Sequence, residues 1–141
     1  MFKLHYWSFF VEVKMENKIE DSEKTFVDYN KGFILLSKVE QTNLYISKEL
    51  INYPKFYVVL RNQIELTMFQ IIESIHSYRI NTNKRIKEKN LNDIILKLSM
   101  LDYYMKYSYE NKIINQHKYC VIGNFLVEIR KITYGILRNE K

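Results

Sequence analysis

Only one cysteine, one proline and three glycines occur in this chain of 141 residues. A lone cysteine excludes a disulfide framework within the chain and suits a reducing compartment. Cys120 lies between Tyr119 and Val121, so we expect a small buried residue there rather than a nucleophile. Sandwiches and barrels of β-strands need many tight turns, which use glycine and proline. The scarcity of both residues favours long helices joined by short loops.

Several signatures of enzymes and membrane proteins are missing as well. The sequence contains no glycine-rich phosphate loop, no Gly-x-Ser-x-Gly nucleophile elbow and no Cys-x-x-Cys pair. No apolar run approaches the roughly 20 residues that span a bilayer. We therefore expect a cytoplasmic protein that is not an enzyme, holds no cofactor and has no membrane partner.

One near miss is the pair Glu73 and His76, which has the Glu-x-x-His spacing of carboxylate-bridged di-iron bundles. Those sites need two such motifs and two further glutamates. Neither His5 nor His117 has a glutamate three residues before it. A single motif is more often an exposed helical pair. A metal-dependent bundle enzyme is therefore the weakest of the functional alternatives, and we expect no metal.

The charge of the chain is positive and unevenly distributed. The chain has 22 Lys and Arg residues against 16 Asp and Glu residues, which gives a formal net charge of +6. Residues 1–24 carry −1, whereas residues 25–141 carry +7. A folded body of this sign attracts phosphate backbones or acidic protein surfaces, although an ordinary solvated surface would give the same count.

The first 24 residues differ from the rest of the chain. Residues 1–13 are strongly aromatic, and an acidic stretch follows them. The aromatic segment is short for a signal peptide, and no small-residue cleavage site follows it. We expect residues 1–24 to form an N-terminal arm, as an upstream-start extension, an extra strand or a packing element. The bundle domain is expected to span residues 25–141.

Apolar residues beyond the arm recur at spacings of three and four, which predicts amphipathic helices. Four helices are predicted, at about residues 25–51, 56–80, 86–109 and 115–138. Pro54 separates the first two, Asn115 is a plausible N-cap of the fourth, and Gly32 is expected to bend or interrupt the first. Short connections make neighbouring helices antiparallel, so the predicted fold class is all-α, an up-down four-helix bundle.

The predicted core is a stripe of five apolar residues on each helix. In chain order these are Ile34, Leu35, Val39, Ile46 and Leu50; Leu60, Ile64, Met68, Ile71 and Ile75; Leu91, Ile94, Leu98, Leu101 and Met105; and Ile122, Phe125, Ile129, Ile132 and Ile136. A bundle core needs only about a third of each circumference. Helices three and four carry more apolar and tyrosine surface than that, at Tyr103, Tyr104, Tyr107, Tyr119, Val121, Leu126, Tyr134 and Leu137. The surplus indicates an oligomer or partner interface, unless the tyrosine hydroxyls merely reach solvent.

The functional candidates are basic residues at the helix connections and on outer helix faces. Each could neutralise a phosphate, and several together would make binding steeply dependent on salt. Four cluster between helices two and three, two lie near the first connection and three lie on helix four: Lys84, Arg85, Lys87 and Lys89; Lys55 and Arg61; and Arg130, Lys131 and Arg138.

Three segments, taken in order, resemble a known family. Tyr53-Pro54-Lys55 is followed by Leu60-Arg61-x-x-Ile64. Helix three carries a leucine-rich run over residues 98–106. Ile114-Asn115-x-x-Lys118-Tyr119 leads into the run over residues 126–132. Over about residues 40–138 the chain thus resembles the accessory variability determinant proteins of diversity-generating retroelements, which are small four-helix bundles related to proteins encoded in ribosomal-RNA intervening sequences.

The resemblance implies a homopentameric barrel of bundles with a basic surface. Such an assembly would bind a reverse transcriptase and its template RNA and assist mutagenic copying of a template repeat into a variable gene. The basic charge by itself predicts electrostatic, sequence-independent binding of RNA or DNA. Of the family's two basic positions on helix three, Lys106 keeps its charge and Asp102 does not, and Arg130 replaces a family glycine. The family's terminal Gly-Gly-Trp is replaced by residues 134–136. The alternative is a structural or protein-interaction bundle of the intervening-sequence type, with no reverse transcriptase partner.

Overall fold

The structure of the protein, a computed structural model, describes residues 23–140 and the side chains of residues 30–139. This part of the chain forms four long helices and a short 3-10 helix, Lys55–Tyr57. The long helices are α1 (Glu23–Leu50), α2 (Val58–Ile80), α3 (Lys84–Glu110) and α4 (Gln116–Glu140). The last two residues of the predicted arm therefore belong to α1, and the rest of that prediction lies outside the described residues.

Each helix packs against its two neighbours in a closed ring, since α1 contacts α2, α2 contacts α3, α3 contacts α4 and α4 contacts α1. The connections over residues 51–57, 81–83 and 111–115 are short, so successive helices run antiparallel. The prediction of an all-α, up-down four-helix bundle is confirmed. A homopentamer concerns several copies of the chain and stays a prediction.

The two ends of the bundle are named here by one residue each. The Pro54 end holds the α1–α2 and α3–α4 connections. The Asn83 end holds the α2–α3 connection, the start of α1 and the end of α4. Helices of 23 to 28 residues separate these ends by about 35–40 Å.

The predicted core stripes of the two middle helices are largely confirmed. Ile64, Met68, Ile71 and Ile75 of α2 are buried, and all five predicted residues of α3 are buried. Leu60 is only partly buried and packs at the margin of the core. These stripes were predictable because each repeats at spacings of three and four along its helix, as the inward face of a helix does.

The predicted stripe of α1 needs one correction. Ile34 is 55% exposed, and its neighbour Leu36 is buried in its place. Residues 33–36 are all large and apolar, so the spacing rule allows more than one inward face there. Packing of α1 against both α2 and α4 decides in favour of Leu35 and Leu36.

The stripe of α4 is shifted around the helix for the same reason. Leu126 and Leu137, predicted as surplus surface, are buried. Phe125 and Ile132, predicted as core, are partly buried. Phe125 instead packs against Tyr45 of α1, with ring centroids 5.8 Å apart. The surplus apolar surface of α4 is therefore smaller than the sequence indicated.

Two small residues also differ from expectation. Gly32 does not interrupt α1, which continues through it. A Cβ on Gly32 would lie 2.8 Å from Cγ of Arg79 and 3.4 Å from the Tyr78 ring, so the missing side chain lets α1 and α2 approach closely. Cys120 is exposed, so the prediction of its burial was wrong. The inward face of α4 carries Ile122, two residues farther along, instead.

The helix ends are fixed by local hydrogen bonds. Oδ1 of Asn115 accepts a bond of 2.8 Å from the backbone N–H of Lys118, which confirms Asn115 as an N-cap. Just beyond the end of α3, Lys112 has a φ of 61°, a left-handed conformation that usually favours glycine. The N–H of Ile113 donates to the carbonyl of Ser108 at 2.8 Å, which closes this helix end.

A buried hydroxyl pair ties the α1–α2 connection to α3 at the Pro54 end. The Tyr53 hydroxyl donates to Oγ of Ser108 at 2.7 Å, and that Oγ donates to the carbonyl of Tyr104 at 2.8 Å. Burial raises the pKa of Tyr53 above its ordinary value, although the hydrogen bond with Ser108 opposes the rise. The pair fixes the connection that precedes Pro54.

Candidate nucleic-acid interface

The first turn of α3 is the most positive helix end in the described part of the chain. Lys84 and Arg85 are exposed there, and the turn contains no acidic residue. Within residues 30–139 neither side chain forms an ion pair. A helix N-terminus already carries about half a positive charge, so cations there are unfavourable for folding and favourable for a bound anion.

The cap of this helix uses the backbone and leaves the side chains free. Oδ1 of Asn83 accepts hydrogen bonds from the backbone N–H groups of Arg85 at 2.9 Å and Ile86 at 3.3 Å. These bonds satisfy two of the donors that a helix N-terminus exposes. Binding of an anion would therefore depend on the side chains of Lys84 and Arg85 rather than on open backbone donors.

The other two predicted residues of this cluster are held by neighbours. Nζ of Lys87 lies 4.6 Å from the centroid of the Tyr78 ring, a cation–π contact that keeps the charge. Lys89 forms an ion pair of 2.9 Å with Asp93, one turn along α3. Lys89 therefore contributes less net charge to the surface than Lys84, Arg85 or Lys87.

Three more cations, one each from α1, α2 and α4, lie at the Asn83 end. Lys31 near the start of α1 and Arg138 near the end of α4 line the same groove. Arg79 of α2 lies 5.7 Å from the Phe33 ring and is 7% exposed. Lys31 and Arg79 were not among the predicted residues, because only the antiparallel packing of the helices brings them to the Asn83 end.

The remaining predicted residues do not join this cluster. Lys55 lies in the 3-10 helix, Arg61 in the first turn of α2 and Lys106 in the last two turns of α3. All three are exposed and all lie toward the Pro54 end. The structure therefore divides the predicted interface into two groups near opposite ends of the bundle.

The predicted cations on α4 have different surroundings. Nη2 of Arg130 forms an ion pair of 2.5 Å with Oδ2 of Asp102 on α3. Lys131 is exposed and forms no ion pair within residues 30–139. Asp102 and Arg130 are two positions at which the chain departs from the retroelement pattern, and here they neutralise each other.

An apolar stripe runs along the outside of α3. Its residues recur at spacings of four, three and four, and all are exposed: Leu96, Met100, Tyr103 and Tyr107. The rings of Tyr103 and Tyr107 lie side by side, with centroids 6.5 Å apart. Most of the surplus apolar surface of helix three is therefore solvent-facing, as expected of an oligomer or partner interface, although Tyr104 packs partly against the core.

Glu73 and His76, the pair with Glu-x-x-His spacing, belong to no cluster of potential metal ligands among the described side chains. No group of three or more His, Cys, Asp or Glu side chains that could hold a metal ion occurs among the side chains of residues 30–139. His76 is half buried, and burial together with the positive charge of Arg79 lowers its pKa, while Glu40 opposes the shift. None of the four described helices is both long and apolar enough to cross a membrane.

Comparison with family models, curated proteins and solved structures finds no match to this chain. Assignment of a function therefore depends on the fold and on the charged and apolar surfaces. The strongest feature is the cluster of cations in the first turn of α3, at the Asn83 end.

Proposed function

We propose that this protein is a non-enzymatic, nucleic-acid-binding helical bundle that assists a reverse transcriptase of a diversity-generating retroelement. The observation that carries the nucleic-acid part is the cluster of cations in the first turn of α3. Lys84 and Arg85 are exposed there with no ion-pair partner among the described residues, and Lys87 keeps its charge beside Tyr78. The reverse transcriptase and the retroelement come from the resemblance of residues 40–138 to that family.

A phosphate backbone fits this cluster better than a compact anion does. Lys84, Arg85 and Lys87 follow one another around the first turn of α3, so they suit successive phosphates. Phosphate contacts carry no sequence information. Binding to RNA or DNA should therefore be insensitive to sequence, with about three phosphate contacts at this end.

Assembly into a homopentamer belongs to the same proposal. The exposed stripe of α3 offers an apolar surface that an isolated bundle does not need for its core. Contact between copies through this stripe would remove it from water and leave the cations of the Asn83 end accessible. The assembled mass should then be five times the chain mass of 17.2 kDa.

A second candidate function is a structural or protein-interaction bundle of the intervening-sequence type. The ion pair between Arg130 and Asp102 favours it, because this pair cancels charge where the retroelement family has a basic residue. The apolar stripe on α3 would then serve protein contacts alone.

One experiment separates the two functions. Fluorescence anisotropy of a labelled 30-nucleotide RNA is measured against protein at several salt concentrations, with light scattering to give the mass. With about three contacts and a slope of about −0.7 per single-stranded phosphate, log K should fall with log[salt] with a slope of about −2. Absence of RNA binding at low salt, in an assembled and folded protein, would favour the protein-interaction bundle.

A further inference from the structure

A groove of about 570 Å³ lies between the start of α1 and the end of α4. Its floor is apolar, and two cations flank it. The residues that line it are Lys31, Ile34, Ile132, Gly135, Ile136, Arg138 and Asn139, none of them acidic. The groove is open to solvent along one side.

Gly135 opens this groove within α4. A Cβ added at Gly135 would meet no atom within 4 Å, so close packing inside the bundle does not require a glycine. Glycine in a helix interior is less stable than alanine by about 0.5–1 kcal/mol. The side chain that is missing here would otherwise project into the groove.

Neither groove cation has a partner of opposite charge among the described residues: Lys31 and Arg138 form no ion pair within residues 30–139. By contrast, Lys38 of α1 and Glu128 of α4 pair at 2.5 Å farther along the same helix interface. The described part of the α1–α4 interface thus pairs its charges in the middle and places two cations beside exposed Ile34 at the Asn83 end.

We propose that this groove binds a segment of a partner protein that presents an apolar side chain flanked by carboxylates. Ile34, Ile132 and Ile136 would cover the apolar side chain, and the rim cations would receive the carboxylates. A nucleic acid could use the two cations but would gain little from the isoleucines, since its outer surface is phosphate and sugar. A small ligand would remain largely exposed, whereas ligand pockets bury most of the ligand surface.

This binding is separate from nucleic-acid binding at the first turn of α3 and does not depend on it. Apolar anchors with flanking charges are the usual means by which a helical segment docks in a groove of another protein. Charge complementarity then supplies orientation and a faster encounter. Arg138, predicted as a phosphate contact, is reassigned here to a protein partner.

The test is a selection of random 12-residue peptides displayed on phage, with the full chain as target. Gly135→Leu fills the groove, and Gly123→Leu is the matched control, because Gly123 is also an α4 glycine with no atom within 4 Å of its added Cβ and does not line the groove. Circular dichroism checks that both variants stay helical. Selected peptides are then synthesised and their affinities measured by fluorescence anisotropy.

Enriched peptides should combine an apolar residue with neighbouring Asp or Glu. Their affinity should fall at least tenfold with Gly135→Leu, fall about tenfold with Lys31→Ala plus Arg138→Ala, and change less than twofold with Gly123→Leu. The RNA affinity of Gly135→Leu should match that of the unmodified chain. No enrichment of acidic-apolar peptides, or enriched peptides that bind the Gly135→Leu protein equally well, would overturn the assignment.

Discussion

A double charge reversal, Lys84→Glu with Arg85→Glu, gives the most direct test of the nucleic-acid interface. Both side chains are exposed in the first turn of α3 and form no ion pair within residues 30–139. The cap at Asn83 bonds to backbone N–H groups, so the substitutions leave it in place. The net charge falls from +6 to +2.

The reversal should stabilise the fold rather than weaken it. A charge near a helix N-terminus contributes about 0.3–1 kcal/mol, unfavourable for a cation and favourable for an anion. Two reversals should therefore raise the free energy of unfolding by about 1–2 kcal/mol at low salt. Urea denaturation followed by circular dichroism measures this change.

RNA binding should weaken in the same protein. Two lost phosphate contacts reduce the salt slope by about 1.4, at about 0.7 per contact on a single strand. The affinity at low salt should fall by about tenfold or more, which corresponds to at least 1.4 kcal/mol. Weaker binding by a more stable protein cannot be attributed to unfolding.

The matched control is Lys48→Glu with Lys112→Glu. Both residues are exposed at the Pro54 end, neither is a predicted phosphate contact, and the net charge again becomes +2. The control should lose less than threefold in affinity. Equal losses in the two double variants would show that RNA responds to total charge, and the assignment of the Asn83 end as the interface would then be wrong.

Three further predictions concern stability and are checked by urea denaturation. Gly32→Ala should destabilise the protein by about 1–3 kcal/mol, because the added Cβ has no room beside Arg79. Its control, Gly123→Ala, should stabilise the protein by about 0.5–1 kcal/mol, and equal effects of the two variants would contradict the close packing at Gly32. Tyr53→Phe should lower stability by about 0.5–1.5 kcal/mol, since it removes the donor to Ser108, and no change would mean that the pair does not form. Lys112→Gly should raise stability by up to about 1 kcal/mol by relieving a positive φ, whereas a loss of stability would place Lys112 outside the left-handed region.

The sequence predicted the helices better than the faces they bury. Along α3 the stripe from Leu91 to Met105 is the longer of two apolar runs at spacings of three and four, and it was assigned to the core correctly, while the stripe from Leu96 to Tyr107 stays exposed. Along α4 the adjacent pairs 125–126 and 136–137 are both apolar, and the phase is ambiguous until a neighbouring helix is present. Gly32 was misjudged because its role depends on Arg79, 47 positions along the chain.

The candidate site was predictable only where it is local in sequence. Lys84, Arg85 and Lys87 are close neighbours along the chain, and their charge is visible without a fold. Lys31 and Arg138 are far apart in sequence, and only the antiparallel packing of α1 and α4 makes them line one groove. The cancellation of charge between helices three and four is likewise a tertiary effect, since it needs both helices in register.

This cancellation supplies a last test, which shows whether RNA also contacts the outer surface of α3 and α4. Asp102→Asn removes the partner of Arg130 and raises the net charge by one. Both side chains are partly exposed, at 28% for Arg130 and 44% for Asp102, so the free energy of unfolding should fall by less than about 1 kcal/mol. Released Arg130 would add an unpaired charge next to exposed Lys131 on α4.

If the outer surface of α3 and α4 also contacts nucleic acid, Asp102→Asn should steepen the salt slope by about 0.7 and raise RNA affinity several-fold. Glu49→Gln is the matched control, because it frees Lys118, its partner at 2.7 Å, with the same gain of one charge at the Pro54 end. A response confined to Asp102→Asn would place RNA across α3 and α4. No change in either variant would restrict the RNA contact to the Asn83 end and leave the apolar stripe of α3 to protein partners, whereas equal gains would show that RNA responds only to total charge.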